Sequence, residues 1–167
     1  YLLRLGWGHG DTEIISTEEA VKIFDMKDIG QSPSRMDFAK LANVNAHYMR
    51  EYNEDAMMTA VTPFIEKELG AAPNAVSLQR FKTGLHALTE RAQTLIELAK
   101  AGHFYVHARP LPMNDDAQKV LDAPTRALLT EMNGVLANLP EFTHDKIEAA
   151  LKEFGAGKDL KLGKVAM

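Results

Sequence analysis

The chain has 167 residues, 46% of them apolar, and a formal net charge of −4. That apolar share excludes a disordered chain, and the length suits one ordinary domain or two or three small helical units. The acidic balance argues against an isolated nucleic-acid binder, the lack of cysteine excludes disulfides and thiolate metal sites, and no apolar run approaches the ~20 residues of a membrane helix. The charge is unevenly spread. Residues 1–62 carry six Lys/Arg against ten Asp/Glu, whereas residues 79–109 carry five against two, with His86, His103 and His107 close by.

Taken in chain order, Tyr1 to Gly6 has the pattern of a helix end, and Trp7 to Asp11 reads as a glycine loop. Ser16, with Glu19 three residues on, predicts a capping box, followed by an apolar stripe of Ala20, Val21, Ile23 and Phe24. Asp28 to Ser34 is a turn region. Asp37 is expected to cap a helix to about Tyr52, with Phe38, Leu41, Val44 and Tyr48 on one face. Asn53 is expected to cap the next, where Pro63 either kinks the helix or marks a restart. The longest pattern is Ser77 to Gly102. Leu78, Phe81, Leu85, Leu88, Ala92, Leu95 and Ala99 recur at steps of three and four, which predicts one helix of roughly 25 residues, about 37 Å long. Ser77 is its expected cap, Gly102 its expected left-handed stop, and Arg91 falls on its polar face. His103 to Val106 is either extended or a packed crossing. Asp115 opens a short helix to Leu121, Asp122-Ala123-Pro124 starts one to about Asn138, and Thr143 caps another ending near Gly155. Leu162 would open one more. Strand-like alternation is absent, so the expected fold is all-α, a multi-helix bundle of about seven or eight helices.

Little in this pattern carries chemistry. His9 and Asp11 make no motif, and a hydrogen-bonded turn explains them. His103 and His107 are four apart, but Tyr105, Val106 and Pro110 argue against a helix there and no third ligand is in sight, so no metal is expected. Phosphate-binding loops, serine-hydrolase elbows and zinc-protease motifs are missing, and no catalytic residue is expected. Lys158, Lys161 and Lys164 form a small basic cluster, either a solvated end or a phosphate contact. By itself Arg91 reads as a surface arginine.

Four blocks in order go further. They are YLLRLGWGHGD at residues 1–11, SPSRMDF at 32–38 with Lys40-Leu41 and Asn45-Ala46-His47-Tyr48, RAQTLIE at 91–97, and KLGKVA at 161–166. Together they resemble the bacterial glutamyl-tRNA synthetase family across the whole chain. The chain departs from that family at Gly8, where serine is usual, at Ala42-Asn43, which replaces an aromatic-containing step, and at Lys164, where glutamine is common.

The resemblance implies a stem-contact region over 1–52, a first anticodon-binding helical bundle over 53–113, and the start of a second over 114–167. It implies a fragment cut at both ends, whose parent is a class I ligase that joins glutamate to tRNA-Glu with ATP and Mg²⁺. Those cofactors would belong to a catalytic domain upstream, and the fragment itself would need none. Arg91 matches the arginine that meets the third anticodon base. Arg80, Lys82, Lys161 and Lys164 are the candidate contacts to the tRNA backbone. The implied partner is tRNA-Glu, the implied state a monomer, and the implied location the cytoplasm, away from membranes. The alternative is a helical protein–protein interaction module descended from such a domain, with RNA binding lost.

Overall fold

A computed structural model describes residues 1–8, 10 and 12–160. Among them lie nine α-helices and two short 3-10 helices, Leu2–Leu5 and Met26–Asp28, with one isolated antiparallel bridge between Trp7 and Ile29. The helices are α1 Thr17–Ile23, α2 Phe38–Glu51, α3 Glu54–Leu69, α4 Ala75–Thr89, α5 Leu95–Ala101, α6 His103–Val106, α7 Asp115–Val120, α8 Ala123–Ala137 and α9 His144–Gly157. The chain is therefore all-α, as expected. The helix count exceeds the expectation because the long central pattern is two helices and the aromatic stretch at 103–106 is a single helical turn.

Capping chemistry explains most of the starts. The amide of Glu19 donates to Ser16 Oγ at 3.1 Å, that of Lys40 to Asp37 Oδ1 at 3.1 Å, and that of Ala56 to Asn53 Oδ1 at 3.2 Å. Each satisfies one of the four donors that a helix start leaves free. Pro63 lies inside α3, which runs through it without a restart. Gly70 ends α3 at φ 70°, a left-handed conformation that glycine adopts without a Cβ clash.

The chain divides into two compact units, Tyr1–Leu111 and Pro112–Met167. In the first, Met57, Val61 and Ile65 form a stripe at four-residue steps on α3 that meets Phe81 and Leu85 of α4 and Leu98 and Ala99 of α5. Phe81, Ile65, Leu98 and Val61 are the largest side chains fully buried there. Met49 of α2 and Val106 of α6 close the same cluster. On α2 the buried face is Val44, Ala46 and Met49; Phe38, expected inward, is 73% exposed. Nearer the start, Trp7 is buried, tilts against Phe24 at 5.7 Å, and donates from Nε1 to the Asp25 carbonyl at 3.2 Å.

Two glycines mark close approaches in this unit. A Cβ on Gly84 would fall 2.4 Å from the Tyr105 ring, and one on Gly102 would fall 2.2 Å from the Phe81 ring. Gly102 has φ −91°, so it is not the left-handed stop that its position suggested. Its missing side chain makes room for Phe81 instead.

In the second unit α8 and α9 pack against each other. Asp122 caps α8 by accepting from the Thr125 amide at 2.9 Å, and Asn114 caps α7, which opens at Asp115 as expected. Lys158 Nζ pairs with Glu131 at 2.5 Å. Among its described residues only Gly155 is buried.

Candidate nucleic-acid interface

The predicted helix over Ser77–Gly102 does not run through. It stops at Thr89 and restarts at Leu95. Two local features and one tertiary feature cause the break. Thr94 is an N-cap whose Oγ1 accepts from the Glu97 amide at 3.2 Å, while a Glu97 carboxylate oxygen accepts from the Gln93 amide at 2.8 Å. α3 has 16 residues and is about 24 Å long. A straight helix of about 37 Å would be longer than α3 by about half. Turning at Glu90 to Gln93 brings α5 back onto α3.

Ser77 is displaced from its expected capping role for the same kind of reason. Asn74 caps α4 by accepting from the Ser77 amide at 2.9 Å. Ser77 itself is buried, and its hydroxyl lies 3.4 Å from the Val106 carbonyl that it donates to.

Arg91 thus stands in the α4–α5 turn, not on a helix face. Its amide and that of Ala92 both donate to the Leu88 carbonyl at 3.2 Å. Ala92 is 1% exposed and plugs the turn into the core. The Arg91 side chain is exposed and has no ion pair or side-chain hydrogen bond among the described residues. On the next residue but one, the Gln93 carbonyl accepts from Asn45 Nδ2 at 2.6 Å, and Gln93 Nε2 donates to Asn43 Oδ1 at 3.1 Å. A firmly seated turn therefore presents one unpaired guanidinium, a planar fork of donors without an acceptor.

The other candidate cations differ in kind. Arg80 is exposed and lines a cavity of about 680 Å³ together with His107 and Arg109. Lys82 is already engaged: its ammonium lies 2.6 Å from Asp55 Oδ1. The hydrogen bond to Asp55 and the charge of that carboxylate hold the Lys82 ammonium above the ordinary lysine range. Lys161 and Lys164 lie outside the described residues. Among the described residues no cluster of His, Asp or Glu could hold a metal ion. Likewise no described helix is long and apolar enough to cross a membrane.

The model of the family described as "Anticodon binding domain" matches residues 56–167. The chain belongs to the anticodon-binding-domain family. Its α3, α4 and α5, with the Arg91 turn, all fall in the matched stretch except for the first two residues of α3. Relatives carry the match further toward the start. A glutamate–tRNA ligase 2 of Paramagnetospirillum magneticum is 42% identical over 99% of this chain, which covers 35% of that protein. The glutamate–tRNA ligase 2 of Rhodospirillum centenum is also 42% identical over 99% of this chain and 36% of its own length. The chain thus spans about a third of the relatives it matches. Among solved structures, a glutamate tRNA ligase of Elizabethkingia meningosepticum, crystallised with its amino acid, superposes with a TM-score of 0.72 at 22% identity, over 96% of this chain and 31% of that one. That likeness shows the fold, and it agrees with the resemblance expected from the four sequence blocks.

Pattern reading missed the turn and the three residues that seat it, Asn43, Asn45 and Gln93. One local signal was there to find: Thr94-Leu95-Ile96-Glu97 is a capping-box sequence inside the supposed helix. Nothing local marks Asn43 or Asn45, because their partner lies about 50 positions away.

Proposed function

We propose that this anticodon-binding-family chain is the tRNA-contacting part of a glutamate–tRNA ligase, and that Arg91 reads the last anticodon base. The observation that supports this is the exposed, unpaired Arg91 on a turn seated by the core, in a chain alike over nearly its whole length to glutamate–tRNA ligases. The partner in this reading is tRNA-Glu. Its last anticodon base is C, which offers the adjacent acceptors N3 and O2. The corresponding G of tRNA-Gln offers N1–H and N2–H, and donors would face donors. A good bidentate base contact discriminates by about 1–3 kcal/mol. Arg80 is proposed to meet the RNA backbone, with Lys161 and Lys164. Lys82 would first have to leave Asp55. Glutamate activation with ATP and Mg²⁺ would belong to the parent ligase, acting as a monomer in the cytoplasm, and no residue of this chain is proposed to take part in it.

The test uses two stem-loop RNAs with the glutamate anticodon loop, ending in C or in G. The C form should bind more tightly, both should weaken steeply as salt rises, and Arg91→Gln should narrow the preference. The substitution should shift stability by less than about 0.5 kcal/mol, because the side chain is exposed and makes no ion pair or side-chain hydrogen bond among the described residues. Salt-independent or absent binding would favour the protein–protein module instead.

A further inference from the structure

We propose that Asn43 and Asn45 of α2 are positioning residues that hold the α4–α5 turn and so set how Arg91 is presented. The proposal rests on the reading of Arg91 as the base-contacting group and adds the part of the fold that aims it. Three bonds converge on one residue of the turn. Asn45 Nδ2 donates to the Gln93 carbonyl at 2.6 Å, Gln93 Nε2 donates to Asn43 Oδ1 at 3.1 Å, and the Gln93 amide donates to Glu97 Oε2 at 2.8 Å. Gln93 is thereby held through its carbonyl, its side chain and its amide, two residues beyond Arg91.

The two asparagines sit on a firm base. They flank Val44, which is buried with Ala46 and Met49 on the inner face of α2. The orientation of the Asn45 amide is settled by its partner, since a backbone carbonyl only accepts. Asn45 Nδ2 also lies 3.3 Å from Met49 Sδ, a second weak acceptor. Both asparagines reach Gln93 from outside the stretch matched by the anticodon-binding family model, which starts at residue 56. The segment before that stretch therefore contributes to the geometry of the turn. A seated turn lowers the ordering cost of binding and limits which base edge the guanidinium can face.

Isosteric substitutions separate positioning from simple structural damage. Asn43→Asp keeps an acceptor for Gln93 Nε2, and Asn43→Ala removes it. Asn45→Asp keeps the shape of Asn45 but puts an acceptor against a carbonyl. Hydrogen exchange of the 167-residue chain should show the Arg91 and Ala92 amides exchanging at least about fivefold faster in Asn45→Ala and Asn45→Asp, the scale of one lost hydrogen bond. The Ile65 and Leu85 amides of the core should keep their rates. With the same two RNAs, the preference for C over G should shrink in both Asn45 variants and in Asn43→Ala, and persist in Asn43→Asp. Unchanged exchange at the turn overturns the proposal. So does faster exchange with an unaltered preference, or loss of the preference in Asn43→Asp to the level of Asn43→Ala. If the wild type itself shows no preference, the base-reading role of Arg91 fails, and the exchange rates alone decide whether the asparagines hold the turn.

Discussion

Gly102 shows how a single atom is decided by its neighbours. Its φ is ordinary, so any residue could adopt the backbone, yet a Cβ there would stand 2.2 Å from Phe81 and 2.9 Å from Leu88. Phe81 is fully buried and packs edge-on to Tyr105 at 6.5 Å, so it has little room to move aside. Gly102→Ala should therefore destabilise the first unit by about 1–3 kcal/mol, the range for overpacking a core. A denaturant midpoint measured on the variant checks this; an unchanged midpoint would show that Phe81 yields freely. Arg91 is the opposite case. Its side chain is exposed and makes no ion pair or side-chain hydrogen bond among the described residues, and its substitution should appear in RNA preference and not in the melting temperature.

Among the elements, α5 depends on its cap more than its neighbours do. It has seven residues, too few to be stable alone, and begins in a turn that would otherwise leave its first amides bare. Thr94→Ala should cost about 1 kcal/mol, while Thr94→Ser should cost much less because it retains the hydroxyl acceptor. Thermal melts of the two variants make the comparison. The cap of α8 adds a pH dependence. The Thr125 amide, and then its hydroxyl, hold the Asp122 carboxyl below the ordinary aspartate range. A lowered value in the fold means that the charged form is favoured there. The contribution is thus complete above the ordinary aspartate value of about 3.9 and is lost as pH falls through the lower, folded value. Asp122→Asn keeps an acceptor without a titrating group, so α8 amides in that variant should lose protection less steeply on acidification. Equal acid profiles would mean that the cap does not govern the start of α8.

Across the whole molecule, burial is unequal. The cluster that includes Phe81, Ile65, Leu98 and Val61 belongs to the first unit, whereas the second has Gly155 as its one buried described residue. The groove beside Val135 and Phe154, about 570 Å³, lies within that second unit. Opening free energy follows buried apolar contact, so the amides of α8 and α9 should exchange through cheaper openings than those of α3 and α4. Uniform protection in a hydrogen-exchange experiment would contradict this.

Read alone, the sequence determined the helical class, the caps at Ser16, Asp37 and Asn53, and the exposure of Arg91. Capping is a local property, since it needs only a side chain and an amide two or three residues on; Arg91, expected on a polar helix face, is exposed in a turn instead. The resemblance to the synthetase family was legible too, because it rests on blocks of identity and not on shape. The break between α4 and α5 was not read, although Thr94 and Glu97 announced it. A stripe of three- and four-residue steps says which side faces the core, and it is satisfied equally by one straight axis and by two segments folded back. The choice fell to the core, which buries Leu98 and Ala99 of α5 against α3, and to Asn43 and Asn45, which bond Gln93 across separations of 50 and 48 residues. Contacts of that range have no trace in a local pattern, because the folded core is what brings them together.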